Sequence, residues 1–191
     1  MPDEPPATPD PAAERALIER ACKGERYAVE SLYEIHVDRI YRFVLFGVRG
    51  NHADAEDLTA EVFVRMVEYL PRFQWQNVPF QAWLYRIARN LVASHYRRPG
   101  NRGGASIDDI DFADPQAGPE GLAEHRLMLD DVYEAVKRLP EAQRRVIELR
   151  FGADLSVRET AQILSKSENN VKVLQHKALQ RLTKLMRGGQ R

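Results

Sequence analysis

The chain of 191 residues has 28 basic and 28 acidic side chains, 43% hydrophobic residues and one cysteine. This length allows one ordinary domain or two small ones, which argues against a large α/β enzyme. Because Cys22 is the single cysteine, the chain cannot form an internal disulfide framework or a zinc site built on several thiolates. The N-terminus lacks the pattern of a secretion signal, and no apolar run approaches the ~18 residues that span a membrane. We therefore expect a soluble, cytoplasmic protein.

The net charge of zero conceals four segments of different charge. Residues 1–24 have a net charge of −2, residues 25–99 of +1, residues 100–136 of −7 and residues 137–191 of +8. The basic last third is a candidate binding surface for a polyanion such as nucleic acid. Neutrality of the whole chain therefore does not exclude DNA binding.

Helical periodicity predicts the elements in chain order. Residues 1–13 form a Pro-rich, acidic tail that we expect to be disordered, although the helical pattern already begins at Pro11. Four helices are predicted before residue 99, over about 11–23, 25–46, 53–70 and 80–96. The residues that the third helix is expected to turn towards the core are Leu58, Val62, Phe63, Met66, Val67 and Leu70.

The second half of the chain is predicted to be helical after a linker. Residues 100–121 combine glycine, proline and aspartate, so we expect a flexible acidic tether there. Helix resumes over 122–139, Pro140 suits the first position of a helix through Arg150, and two short helical segments follow. The sequence therefore predicts an all-α fold of two small domains: an N-terminal helical bundle over 14–99 and a C-terminal helix-turn-helix domain over 122–187.

Residues 155–174 have the layout of a helix-turn-helix. Ser156 with Glu159 three residues later indicates a capping box, and Ser167 can cap the second helix. Ser165 stands where many such motifs have glycine, which leaves the geometry of the turn open. The stripe expected to be buried along the second helix is Val171, Leu174, Ala178, Leu182 and Leu185.

The opposite face of that helix has the composition of a DNA-reading surface. Its predicted base readers are Asn169, Asn170, Lys172, Val173, His176 and Lys177. In the major groove, lysine can donate to guanine O6 and N7, and an apolar group can contact the thymine methyl. Arg158, Lys166 and Arg181 would neutralise phosphates. The alternative is an ordinary amphipathic pair of helices with solvated charges.

Together with three earlier stretches, this motif resembles the extracytoplasmic-function sigma factors of bacterial RNA polymerase, which belong to the sigma-70 family. The stretches are Asp54–Phe63, Phe80–Asn90 and Leu139–Arg150. The resemblance covers nearly the whole chain after residue 14. It implies that residues 14–99 bind core polymerase and the minus-ten promoter element, and that residues 122–187 bind the minus-thirty-five element.

The resemblance also implies a function and its partners. The function is promoter recognition, promoter melting and transcription initiation, with no enzymatic activity of the chain itself and no cofactor or metal. The partners are promoter DNA, the clamp of the largest subunit of core RNA polymerase, the flap of its second-largest subunit, and an anti-sigma factor.

An acidic surface is predicted at the start of the third helix. Asp54, Asp57 and Glu61 fall within two turns, so their carboxylates can share one face and meet a basic partner helix, with Leu58 and Val62 adding apolar contact. In the family this surface binds the polymerase clamp. One alternative is a capped, solvated helix start. A metal site at His52, Asp54 and Asp57 is a poorer alternative, because no second set of ligands appears.

The loop after the third helix is the candidate for capturing a flipped base of the minus-ten element. Opening DNA requires bases to leave the stack, and aromatic or amide side chains can hold them. The candidates are Phe73, Trp75, Gln76 and Asn77. The alternative is that Phe73 or Trp75 fills the core. The next helix carries arginines that could track DNA phosphates, namely Arg86, Arg89, Arg97 and Arg98.

Two functions other than that of a sigma factor are alternatives for this sequence. A free-standing helix-turn-helix regulator would bind an operator as a dimer, but it needs neither a clamp-binding helix nor a melting loop. A metal-dependent helical hydrolase would need a constellation of His and carboxylate residues, and the sequence shows none.

Overall fold

The structure, a computed structural model, describes residues 11–74, 79–97 and 130–188. Within these ranges every regular element is helical, which confirms the predicted all-α class. The N-terminal helices are α1 (Pro11–Cys22), α2 (Arg26–Gly47), α3 (His52–Tyr69) and α4 (Phe80–His95), with a 3-10 turn at Leu70–Arg72. The C-terminal helices are α5 (residues 130–137), α6 (Glu141–Ile147), α7 (Val157–Leu164) and α8 (Glu168–Gly188), with a π turn at Glu148–Gly152.

Local sequence explains where the N-terminal helices begin and end. Gly24, at φ +83°, separates α1 from α2 in a backbone conformation that glycine adopts without steric cost. The Asn51 side chain accepts a hydrogen bond from the Asp54 amide at 3.1 Å and thereby caps α3. Pro71 lies in the 3-10 turn that ends this helix. All of these boundaries lie within two residues of the predicted ones.

Three details differ from the sequence predictions. Pro140 is the N-cap of α6 and not its first residue, because its carbonyl accepts hydrogen bonds from the amides of Gln143 and Arg144, each at 2.9 Å. The α-helix then changes to a π turn at Glu148 before it reaches Arg150. Val67 is 50% exposed although the hydrophobic pattern placed it in the core. Only one side of α3 packs inwards, and Val67 lies on the other.

Several predictions fall outside the described residues. They are the disordered tail over residues 1–10, the flexible linker over 100–121 and the start of a helix at residue 122. The described part of α5 begins at residue 130, and the helical pattern that begins at Pro11 coincides with the first residue of α1.

The N-terminal helices enclose an apolar core. Its largest fully buried side chains are Phe80, Leu32, Ile40, Met66, Leu70, Leu84, Val44 and Val62. The C-terminal helices bury a smaller cluster, in which Val146, Ala161 and Val171 join α6, α7 and α8. The helix-turn-helix is therefore fixed to α6 by its own apolar contacts.

The two domains pack against each other. Leu149, Ala153, Leu155 and Ile163 of the C-terminal domain belong to the same buried cluster as the core of the N-terminal bundle. Gly152 lies so close to α2 that a Cβ atom there would come within 2.9 Å of the Phe46 ring. This interface is apolar at its centre.

Ion pairs surround that apolar contact. Arg39 of α2 donates to Glu159 of α7 at 2.6 Å, and the two side chains are only 14% and 15% exposed. Arg49 pairs with Glu134 of α5, and Arg89 of α4 lies 3.3 Å from Glu141 of α6. We call this arrangement of the two domains the closed form.

Candidate nucleic-acid and polymerase interfaces

The helix-turn-helix has the local structure that its sequence predicts. The Ser156 side chain accepts from the Glu159 amide at 3.1 Å, and the Glu159 carboxylate accepts from the Ser156 amide at 2.8 Å, which completes the capping box. Ser167 caps α8 by accepting from the Asn170 amide at 3.2 Å. Ser165 ends α7 in the left-handed conformation at φ 52°. The turn therefore adopts the glycine-type geometry despite its serine.

The two faces of α8 are as predicted. Val171 and Ala178 are fully buried, and Leu174, Leu182 and Leu185 are partly buried. The predicted base readers are all exposed, namely Asn169, Asn170, Lys172, Val173, His176 and Lys177. The closed form thus leaves the N-terminal half of α8 open to solvent. Arg158, Lys166 and Arg181 are also exposed, in positions flanking that face.

Of the arginines at the domain contact, Arg89 of α4 is half-buried in the closed form, whereas Arg86 is exposed. Arg86 and Arg89 line a cavity between the two domains, with Arg89 paired to Glu141. Arg97 is exposed and donates to the Ser94 hydroxyl at 2.8 Å. Arg98 lies outside the described residues. Contact between the DNA backbone and Arg89 would therefore compete with its ion pair to Glu141.

Of the four candidate residues for base capture, the structure describes only Phe73. The Phe73 ring lies 4.9 Å from the Trp83 ring and 5.4 Å from the Phe80 ring, centroid to centroid, so Phe73 packs on the bundle core. This geometry favours the core-filling alternative for Phe73, because a ring held between two others is not free to stack on a base. Trp75, Gln76 and Asn77 lie outside the described residues, and their role stays a prediction.

The acidic surface of α3 differs from the prediction in two of its residues. Val62 is fully buried, so it supports the core and cannot contact a partner. Asp54 accepts from the Asn51 amide group at 2.8 Å and lies 3.3 Å from His95, so its carboxylate is committed to the bundle. Asp57 is exposed, and Leu58 is partly buried. Glu61 is partly exposed and is paired with Arg65 at 2.8 Å.

Sequence reasoning missed the apolar part of this surface. Val64 and Val67 are 52% and 50% exposed and follow Asp57 and Glu61 along the outer side of α3. Helical spacing places Asp57, Glu61 and Val64 in one stripe. We call Asp57, Glu61, Val64 and Val67 the outer face of α3. The sequence contains a signal for it. The third helix has more apolar residues than one buried face can hold, so some of them must lie on its exposed side.

Burial and hydrogen bonding set the charge of the pair that joins the domains. Burial alone would raise the pKa of the Glu159 carboxyl. The hydrogen bonds from Ser156 and the nearby Arg39 guanidinium outweigh burial and hold this pKa below its ordinary value. Glu159 is therefore ionised at neutral pH, and the same carboxylate caps α7 and binds the N-terminal domain.

His52, a residue of the alternative metal site, is engaged within the N-terminal bundle. His52 bonds to the Tyr41 hydroxyl at 2.6 Å, and the described residues contain no group of three or more His, Cys, Asp and Glu that could hold a metal ion. No helix in the described ranges is both long and apolar enough to cross a membrane.

Comparisons with known proteins agree with these features. The family model for sigma-70 region 2 matches residues 32–102, and that for sigma-70 region 4 matches residues 135–184. The ECF RNA polymerase sigma factor BldN of Streptomyces coelicolor is 37% identical over 183 residues, which cover 95% of this chain and 69% of that protein. The ECF RNA polymerase sigma factor ShbA of Streptomyces griseus is 35% identical over 182 residues, covering 89% and 93%.

A solved structure shares the fold. CnrH, in complex with the cytosolic domain of CnrY, is 26% identical to this chain, covers 92% of it and 98% of the solved chain, and superposes with a TM-score of 0.58. The chain therefore belongs to the extracytoplasmic-function sigma factors of the sigma-70 family, which direct RNA polymerase to promoters and start transcription.

Proposed function

We propose that the two domains of this sigma factor bind different targets. The C-terminal domain, over 122–187, reads the minus-thirty-five element with α8. The N-terminal domain, over 14–99, binds core polymerase through the outer face of α3 and reads the minus-ten element with α4 and the loop at Trp75–Asn77. The observation that carries this proposal is the exposed, largely polar N-terminal half of α8, which follows a turn capped by Ser167.

The proposal for α8 rests on geometry and composition together. Lys172 and Val173 project from the first two turns of α8, where a recognition helix meets base edges. Lys172 offers donors for guanine, and Val173 offers an apolar contact for thymine. Lys166 lies in the turn before α8 and is better placed for a phosphate. Lys172 and Val173 are thus proposed to read bases, whereas Lys166 is proposed to bind the backbone. An experiment can distinguish these two roles.

The proposal for α3 replaces two of the predicted residues. The contact with the polymerase clamp uses the exposed Asp57 and Glu61 carboxylates together with Val64 and Val67. Asp54 and Val62 support this helix from inside. An exposed apolar pair beside carboxylates suits a basic partner helix, because charge orients the encounter and apolar burial stabilises the complex.

Reading both promoter elements requires the two domains to separate. The elements lie about 25 base pairs apart, which is ~85 Å of B-form DNA at about 3.4 Å per base pair. A compact chain of this length has a radius of gyration of ~16 Å and a diameter of ~42 Å. The closed form therefore cannot span both elements. The linker over residues 100–121 supplies ~75 Å of chain at full extension, which together with the ~42 Å size of the compact chain permits the separation.

We further propose that the chain has no catalytic activity of its own, acts in the cytoplasm with RNA polymerase, and is controlled by an anti-sigma protein. The support for such a partner is the family itself and the solved CnrH, which is bound to another protein. The interface between the domains is a surface that a partner could also use.

Transcription in vitro tests the proposal. Purified chain and core RNA polymerase are incubated with a genomic fragment library, and transcription starts are mapped. We expect starts downstream of a common pair of elements. Lys172→Ala should lose about 1–3 kcal/mol of affinity at the cognate minus-thirty-five site and little on scrambled DNA. Lys166→Ala should lose affinity equally on both.

Three results would contradict the proposal. The first is no association with core polymerase and no transcript from any fragment. The second is an equal loss on cognate and scrambled DNA for Lys172→Ala. The third is tight, dimeric operator binding by the free chain, which would indicate a free-standing regulator.

A further inference from the structure

A cavity of about 220 Å³ lies between the two domains of the closed form. Its N-terminal wall comes from α2 and α4, and its C-terminal wall from α6, the π turn and the end of α7. The lining residues that matter here are Arg86, Arg89, Arg145 and Glu148. Because both domains contribute to it, the cavity exists only while the domains are packed together.

Positive charge is in excess in this cavity. Arg86, Arg89 and Arg145 line it together with a single carboxylate, that of Glu148. Arg89 is paired with Glu141, and Glu148 lies 3.6 Å from Arg144. No carboxylate of the described residues lies within ion-pair distance of Arg86 or Arg145. Among the described residues, two guanidinium groups at this cleft therefore have no carboxylate at ion-pair distance.

The charged groups of this cavity are held in electrostatically unfavourable surroundings. Burial, together with repulsion by Arg89 and Arg86, lowers the pKa of Arg145 from its ordinary value although Glu141 and Glu148 oppose the shift. Burial also raises the pKa of Glu148 despite three nearby arginines. A half-buried guanidinium without a counter-charge is destabilising, and a bound anion would relieve it.

We propose that this interdomain cavity binds a phosphate group and that the bound group holds the sigma factor in the closed form. Guanidinium groups bind phosphate oxygens through paired N–H donors, and three of them line this cavity. The volume is below the ~300 Å³ at which sites for drug-sized ligands begin. It suits free phosphate, pyrophosphate or the terminal phosphate of a larger molecule whose remainder stays outside.

This inference goes beyond promoter recognition, and only its competition with DNA rests on the proposed function. A phosphate group in the cavity occupies Arg86 and Arg89, which we propose as DNA-backbone contacts, so the ligand and promoter DNA exclude each other. The ligand therefore stabilises the inactive arrangement by binding only that state.

Calorimetric titration of the full chain tests the site. Inorganic phosphate, pyrophosphate and a nucleoside diphosphate are titrated separately, at an ionic strength held constant with sodium chloride. We expect saturable binding of at least one of them, with one site per chain. Tighter binding of the nucleoside diphosphate than of pyrophosphate would identify a nucleotide as the source of the phosphate group. The absence of saturable binding by all three would overturn the proposal.

Variants locate the site and separate binding from folding. Arg145→Gln should weaken binding at least tenfold, whereas Arg138→Gln, which changes an exposed arginine of the same domain outside the cavity, should change it less than twofold. Glu148→Gln should tighten binding several-fold, a gain that misfolding cannot produce. Equal affinity in Arg145→Gln and Arg138→Gln, or weaker binding in Glu148→Gln, would contradict the assignment.

A third variant tests the link to domain closure. Arg39→Gln breaks the most buried ion pair between the described parts of the two domains, and Arg39 does not line the cavity. It should weaken phosphate binding, because the ligand must then also supply the free energy of closure. Unchanged affinity in this variant would show that the ligand does not hold the domains together.

Discussion

Breaking the ion pair between Arg39 and Glu159 should open the closed form. The two groups are 120 positions apart in sequence, belong to different domains and are joined at 2.6 Å with about 15% of each side chain exposed. Arg39→Gln leaves the Glu159 carboxylate without its partner but keeps the capping box, because Ser156 still donates to it. The substitution therefore acts on the packing of the domains and not on α7 itself.

The magnitude follows from the burial of the pair. Exposed ion pairs contribute about 0–1 kcal/mol, and breaking a fully buried pair costs about 3–5 kcal/mol. A pair that is mostly but not wholly buried lies between these limits, at about 2 kcal/mol. Since 1.4 kcal/mol is a factor of ten, the equilibrium between open and closed forms should shift about 30-fold.

Small-angle X-ray scattering of the free chain measures this shift as a radius of gyration. Wild type should lie near the ~16 Å of a compact chain, and Arg39→Gln should be larger. Arg42→Gln is the matched control, because it makes the same charge change one turn away on α2, in an exposed pair with Asp154 at 3.6 Å. Equal radii for Arg39→Gln and wild type, or equal expansion in both variants, would refute the reasoning.

Three further predictions test other parts of the structure. Ser165→Gly should raise the free energy of unfolding by about 0.5–1 kcal/mol, because it relieves a left-handed serine at φ 52°, and thermal unfolding measures it. Val64→Asp should weaken binding to core polymerase about tenfold and change stability by less than ~0.5 kcal/mol. Burial, with repulsion by Arg39, lowers the pKa of His36 to about 4 from 6.5, so its contribution to stability is full above about pH 6.5 and is lost as the pH falls towards 4. His36→Gln should therefore flatten the dependence of the melting temperature on pH in this range.

Each of these predictions has a result that contradicts it. A lower melting temperature for Ser165→Gly would mean that its side chain contributes more than its backbone costs. For polymerase binding, Tyr27→Asp is the control, since Tyr27 is 75% exposed on another helix; equal loss in both variants would exclude a specific role for Val64. An unchanged pH profile in His36→Gln would assign acid sensitivity to other groups.

Local sequence was sufficient to predict the helix-turn-helix. Its capping box needs only Ser156 and Glu159 at a spacing of three, and its buried stripe follows from the helical period. Both depend on residues close together in the chain, where spacing determines geometry. The left-handed Ser165 was the one uncertain point. It adopts the required turn because Val171 and Leu174 pack α8 on Ala161 and Val146, which outweighs the local cost.

Contacts between distant residues could not be predicted in the same way. Nothing near Arg39 in sequence indicates Glu159, and nothing near Arg86 indicates Arg145, because each pair meets only after the domains pack. The same limit affected α3, where Val62 and Val67 have equal hydrophobicity and only the packed bundle shows which of them is buried. The acidic linker and the loop at Trp75–Asn77 remain predictions from sequence.

The central claim is that one chain reads two promoter elements by moving apart two domains that are closed in the free protein. Fluorescence transfer tests this most directly, between dyes on Tyr27→Cys and Met186→Cys in a Cys22→Ser background, all on the full chain. We expect high transfer in the free protein, whose compact diameter is ~42 Å, and almost none in the promoter-bound holoenzyme, where the elements are ~85 Å apart. Equal transfer in the two states would contradict the account.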